Sequence, residues 1–137
     1  MKVYIDTNII IDILEHRDPF FEDSYKIVQL GLQGKLLGLM SAGAVTDVYY
    51  IISRSIGNAG KAREKILALT ALVHICDTVA VDINTALTLD MVDFEDSVVA
   101  AIAKREKVDY ILTRIEADFR NSPVPAMNPS QFLKFFA

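Results

Sequence analysis

Apolar and polar positions follow two rhythms along this chain. Short β-favouring runs at about 2–5 ("KVYI"), 36–40, 72–76 and 109–112, with a brief one near 124–126, predict strands. Between them, apolar residues recur three and four apart, predicting helices over about 8–15, 20–33, 42–55, 58–70, 82–91, 94–106 and 129–136. Local punctuation agrees with these limits. Gly34 stands where a helix should stop, Ser41 where one should be capped, and "NPSQ" at 128–131 supplies an Asn cap, Pro at the first helical position and a Gln three residues past the cap. Two helices carry legible apolar stripes, Val45, Val48, Tyr49 and Ile52 in one and Phe94, Val98 and Ile102 in the other. Strands separated by helical segments, with no linker, repeat or low-complexity tract, predict one α/β domain spanning 1–137: a mainly parallel sheet with helices on both faces. The right-handed crossover rule then sets most of the topology.

Composition narrows the class. At 137 residues, 52% of them hydrophobic, the chain can bury a substantial core. Every apolar run is broken by charge, as by Asp12, Glu15 and His16 in the first helix, so neither a membrane span nor a signal peptide is expected. A soluble cytoplasmic protein with no membrane partner is the expectation. The single cysteine, Cys76, lies in the apolar stretch "LVHIC" and reads as core packing in a reducing compartment. A net charge of −4 argues against simple electrostatic binding of nucleic acid, and directs attention to where the acids gather.

They gather at strand ends and helix starts. Asp6 follows the first strand, where open α/β sheets place their ligands; a helix cap by Asp6 or Thr7 is the alternative reading of the same spot. Asp47 lies near the start of its helix, sharing a side with Tyr50 and Arg54. In "DFEDS", Asp93 and Asp96 share a first turn, a placement that also suits the helix dipole. The strand Tyr110 to Leu112 empties into Thr113, Arg114, Glu116 and Asp118. Carboxylates brought together from four segments suit a hard divalent cation, since Mg²⁺ takes oxygen ligands and commonly keeps several waters. Such cations can activate water and stabilise the leaving oxygen in phosphodiester cleavage. There is no Gly-rich phosphate loop, CxxC pair or HExxH motif, and His16 and His74 stand in no ligand-like spacing and read as structural or surface residues.

Four segments in this order, "DTNIIID" at 6–12, "TDVYY" at 46–50, "DFEDS" at 93–97 and "DYILTRIEADF" at 109–119, followed by "PVPAMNPSQFL" at 123–133, resemble the PIN-domain nucleases, especially the small single-domain bacterial and archaeal type. The resemblance covers nearly the whole chain. It implies a three-layer α/β/α domain with Mg²⁺- or Mn²⁺-dependent ribonuclease chemistry, often as the toxin of a toxin–antitoxin pair. Carried over position by position, it implies Asp6, Asp47, Asp96 and Asp118 as catalytic metal-binding acids, with Asn8 and Thr113 as polar supports. Asp47 stands where many relatives have Glu, and Ile115 where they often have Asn or Asp; the latter departure leaves Asp118 as the fourth acid with Glu116 as its substitute. Asp12 reads as a surface or helix-pairing acid, and Asp93 as a cap or a group behind the ligands.

An acidic protein that holds RNA needs local cations. Arg54, Arg114 and Arg120 are candidates, each also readable as a solvated surface charge, with Arg114 beside Thr113 the preferred phosphate contact. Tyr49 or Tyr50 could stack on an unpaired base, core packing being the other reading of Tyr49. A homodimer is expected from the apolar segments "VYYII" at 48–52 and "VVAAIA" at 98–103. Two other classes stay open: a PIN-like binding module without turnover, and a phosphorylated receiver switch. The receiver lacks a suitable Lys after Met127 and the adjacent acid pair after the first strand.

Overall fold

A buried run begins the chain. In the computed structural model, which describes residues 1–136, β1 (Lys2–Ile5) buries Val3, Tyr4 and Ile5 and leads through Asp6 into α1 (Thr7–Leu14). There follow α2 (Phe21–Leu32), β2 (Leu37–Ser41), α3 (Ala42–Ile56), α4 (Ala59–Leu72), β3 (His74–Cys76), α5 (Ala80–Ala86), α6 (Phe94–Arg105), β4 (Tyr110–Leu112), a 3₁₀ turn (Glu116–Phe119), β5 (Ala126–Met127) and α7 (Pro129–Phe136). The punctuation acts as its residue types require. Gly34 follows α2 at φ +71°, Ser41 Oγ accepts the Ala44 N–H at 3.3 Å, and Asn128 and Gln131 exchange reciprocal side chain to backbone hydrogen bonds of 2.8 and 3.0 Å at the start of α7.

Three boundaries differ from the sequence expectation. The strand expected from residue 72 starts at His74, because α4 runs on through Leu72. The helix expected over 82–91 spans Ala80–Ala86 instead: the Asp82 carboxylate accepts the Val79 N–H at 2.9 Å and starts the helix early, and the Leu89 N–H folds back onto the Ala86 carbonyl at 3.2 Å beyond its end. The turn at Glu116–Phe119 was not anticipated; Phe119, buried in the core, anchors it.

The five strands form one all-parallel sheet in the order β3-β2-β1-β4-β5. Contacts group α1 to α4 with α7, and α5 with α6. That division follows from the topology: the chain steps outward from β1 to β3, then returns to β4 on the other side of β1, and right-handed crossovers taken in opposite directions lie on opposite faces. The reversal makes the β1/β4 boundary the switch point, where the strand ends open a crevice. The Asp6 N–H donates to the Leu112 carbonyl at 2.9 Å, so the two strand exits leave the sheet side by side. Tyr4 is fully buried beneath this edge; its hydroxyl bonds Ser41 Oγ at 3.1 Å, and burial pushes the phenol up to about 12, which keeps it neutral. Cys76 is likewise buried and free, its thiol pushed up to about 11 by burial. No helix among the described residues is long and apolar enough to cross a membrane.

A charged clasp joins the two helices of the smaller layer. Arg105 donates through Nε and Nη2 to both oxygens of the buried Asp82 at 2.8 and 3.1 Å, and through Nη2 to the Asp77 carbonyl at 2.7 Å. Burial alone would raise Asp82, but the hydrogen bonds from Arg105 and Val79 hold it below the ordinary carboxylate value. The clasp therefore stabilises the fold above about pH 4 and loses its contribution as pH falls through the lowered value. Arg105→Met, which leaves Asp82 buried without its partner, should cost about 3 kcal/mol or more in urea unfolding at pH 7. The deficit should narrow as pH falls, first where the unpartnered, burial-raised Asp82 of the variant takes up its proton and further as the wild-type clasp is lost.

Candidate active site

The strand exits and the α6 start enclose an open cavity of about 650 Å³ between the two helical layers. Asp6, Asn8 and Arg17 reach it from around α1, Asp47, Tyr50 and Ile51 from α3, and Phe94, Glu95 and Asp96 from α6. Three of the four expected acids thus line one cavity.

Asp6 is held on every side. Its Oδ1 accepts the Thr7 N–H at 2.8 Å and so caps α1, while Oδ2 accepts the Thr113 hydroxyl at 2.9 Å and the Asn8 amide at 3.5 Å. The two readings of this residue, cap and site acid, are therefore both met by one side chain. Asn8 also donates to Thr113 Oγ1 at 3.2 Å and accepts the Arg114 N–H at 3.2 Å, tying α1 to the β4 exit. Burial raises the Asp6 carboxyl, the hydrogen bonds from Thr113 and Thr7 oppose that, and the Asp118 charge adds to it.

Asp96 stands in the first turn of α6, whose cap is Asp93; Asp93 Oδ1 accepts the Asp96 N–H at 3.0 Å. Burial first, then the charges of Asp6, Asp93, Asp118 and Glu95, push the Asp96 carboxyl up to about 7. Asp118, exposed on the 3₁₀ turn, lies close enough to raise both Asp6 and Asp96. Asp47 faces the same cavity from α3. Glu116 accepts the Asn128 amide at 3.3 Å, so the substitute for Asp118 is engaged with the residue that caps α7.

Three expectations change. Asp12 is no surface acid: it is fully buried and paired with Arg114 at 2.6 Å, and burial pushes its carboxyl up even with the guanidinium beside it. Arg114, expected at a phosphate, is accordingly engaged by a carboxylate of the protein itself. It neutralises Asp12 and lies over the Phe20 ring at 4.2 Å, so it locks the β4 exit onto α1. Phe94, expected in the core stripe, is 47% exposed and lines the cavity, because the first turn of α6 overhangs the sheet edge; Ile102, two turns further on, is buried as expected. Arg17 was missed altogether. The only trace of it in the sequence is the polar run "EHRDP" that stops α1, which fixes a turn without showing where the turn points.

The donors suit a hard divalent cation. They are carboxylate oxygens, and two of them, on Asp6 and Asp96, are raised by burial and like charge, which a bound cation would relieve. Among the described residues no three acid, His or Cys side chains sit close enough to hold one ion by themselves, so water must complete its shell, as Mg²⁺ readily allows.

A family model described as "PIN domain" matches residues 2–114. The chain belongs to the PIN-domain family. The matched span of this PIN domain holds Asp6, Asp47 and Asp96 and ends before Asp118. The domain is 25% identical over 136 residues to Ribonuclease VapC1 of Aquifex aeolicus, covering 96% of this chain and 92% of that protein. Its fold matches the crystal structure of VapBC2 from Rickettsia felis bound to a DNA fragment from their promoter, with TM-score 0.75, 18% identity, and 93% and 98% of the two chains covered. It also matches a toxin–antitoxin complex from Klebsiella pneumoniae, with TM-score 0.66, 16% identity, and 93% and 97% covered.

The raised Asp96 carboxyl has a thermodynamic signature. Unfolded, it loses its proton near pH 4, whereas folded and metal-free it does so at about 7, so stability falls as pH climbs through that window and is level above it. Asp96→Asn should remove this part of the slope. Melting in EDTA at pH 5 and pH 8 is expected to show the variant gaining on the wild type at the higher pH.

Proposed function

We propose that this PIN domain is a Mg²⁺- or Mn²⁺-dependent endoribonuclease of the cytoplasm, and the toxin of a toxin–antitoxin pair. The observation that carries the reading is that Asp6 and Asp96 line one cavity at the switch point of the sheet, each raised by burial and by a neighbouring acid, Asp118 acting on Asp6 and Asp6 on Asp96. The relative named as a ribonuclease and the toxin–antitoxin complex among the structural matches support it. Asp6 and Asp96 would hold the cation, with Asp47 and Asp118 reaching it through water. When bound, the cation supplies positive charge at the scissile phosphate and lowers the pKa of an attacking water. Thr113, Thr7 and Asn8 fix the Asp6 oxygens, so that no reorganisation is needed as charge develops.

A PIN-like binding module without turnover is the second reading. It is favoured by Ile115 in the place of a polar residue and by the lack of three directly converging ligands. Incubation of RNA with Mg²⁺ or Mn²⁺ against EDTA separates the two. Cleavage is expected only with metal, and Asp96→Asn should lower its rate at least about a hundredfold, the scale of removing a main electrostatic group from a catalytic site. Mg²⁺ should also raise the melting temperature of the wild type but not of Asp96→Asn. Wild-type rates in the variant would end the catalytic assignment.

We also propose a homodimer. Of the two segments expected to supply its surface, 98–103 does not, since Ala100 to Ala103 are buried in the core, and 48–52 leaves only Tyr50 and Ile51 exposed. A better surface is the stripe Val79, Ile83 and Leu87 along α5, four residues apart and up to 69% exposed. Sedimentation at micromolar concentration should return a dimer mass, and Leu87→Asp should shift it to monomer.

A further inference from the structure

The acids of the cavity explain how a cation is held, but they repel an RNA backbone, and the expected counter-charge at Arg114 is paired with the buried Asp12 and does not line the cavity. One cation lines the cavity: Arg17. Its position is set by the chain. After α1 ends, His16 takes a left-handed conformation at φ +48°, rare for a residue other than Gly, and the Arg17 N–H returns to the Asp12 carbonyl at 2.9 Å. This reversal lays the Arg17 side chain along the mouth of the cavity instead of letting it continue into solvent.

The guanidinium is oriented without being consumed. Nε and Nη2 both donate to the same oxygen of Glu15, at 3.1 and 2.8 Å, while Nη1 has no protein acceptor among the described residues. Glu15 thus keeps Arg17 off Asp6 and Asp96, which stay free for a cation, and leaves a planar donor edge of the kind that binds phosphate oxygens. The side chain is 44% exposed, open to a ligand yet fixed in direction.

Two aromatic rings share the cavity. Tyr50 on α3 is 59% exposed and Phe94 on α6 is 47% exposed, so one comes from each helical layer. Neither ring is buried by the fold: Phe94 is half open to water, and Tyr50 is held by Arg54, whose Nη1 donates to its hydroxyl at 2.8 Å; the apolar surface left in water is a cost that a stacked base would relieve. A rigid duplex keeps its bases stacked on one another, whereas unpaired nucleotides offer both a phosphate for Arg17 and a face for an aromatic ring.

We propose that Arg17 is the phosphate-binding residue of this site and that Tyr50 and Phe94 are its stacking platforms for unpaired bases. The inference rests on the ribonuclease reading but is tested apart from it, by binding. A fluorescent unstructured RNA oligonucleotide is titrated in EDTA against Asp96→Asn protein, which binds without cleaving, and against the same protein carrying one further substitution.

Arg17→Gln should weaken binding about tenfold and reduce the salt slope of log K by about 0.7, the loss of one phosphate contact to a single strand. Arg17→Lys, which keeps the charge but not the fork, should fall between. Tyr50→Ala and Phe94→Ala should each weaken binding at least about fivefold with little change in salt slope, and Tyr50→Phe should restore it. Arg63→Gln, at an exposed position on α4 away from the cavity, is the control. A melting curve on each variant separates a lost contact from a lost fold. With metal and the otherwise wild-type protein, Arg17→Gln should raise KM more than it lowers kcat.

Binding by Arg17→Gln equal to the Arg63→Gln control would overturn the phosphate assignment even if the enzyme cleaves RNA. Equal affinity for a duplex of the same sequence, or loss of dimerisation in place of RNA binding on Tyr50→Ala and Phe94→Ala, would overturn the stacking assignment. Absence of cleavage by the wild type, with Arg17-dependent binding intact, would remove the ribonuclease reading and leave this inference standing.

Discussion

The Asp6 carboxylate, held by the Thr113 hydroxyl across the β1/β4 boundary, is the contact around which this site is organised. One side chain from the first strand exit and one from the fourth meet because the chain reverses its direction of winding between them. The same carboxylate caps α1, so the helix and the site share an anchor. Asn8 extends the connection to the Arg114 backbone, and the Arg114 guanidinium closes it on the buried Asp12. Removing any member would disturb helix start, strand exit and acid together.

Around that anchor the charges are arranged by contrast. Asp6 and Asp96 are raised by burial and by the acids beside them, which a bound cation would relieve, and two other acids are paired with arginines. Asp82 and Asp12 are the paired acids, each joining a helix to another part of the fold. The outcomes differ. Asp82 receives several hydrogen bonds and is held below its ordinary value, while Asp12 has one close ion contact and is pushed above it. Burial of a charge is tolerated in proportion to the donors supplied with it.

Much of this was legible in the chain. Strand and helix periods, Gly34, Ser41 and the Asn128–Gln131 box placed the elements, because each is a local effect acting over a few residues. The acids were legible as a set, since Asp6, Asp96 and Asp118 each follow a strand or open a helical turn, and in a parallel sheet all such positions face one edge. Thr113 and Asn8 followed by the same logic.

What the sequence alone determined was therefore the parallel α/β architecture and the edge at which its acids collect, because both follow from periodicity and from the handedness of the crossovers. The partners of individual charges were decided only in three dimensions. Arg114 and Arg17 look alike as letters, each a cation beside a strand or helix end, yet one is paired with Asp12 and packed on Phe20 while the other lines the cavity. Phe94 likewise continues an apolar stripe but lines the cavity, half open to water. An ion pair or a solvent-facing ring depends on distances between segments remote in the chain, and no local pattern encodes those distances.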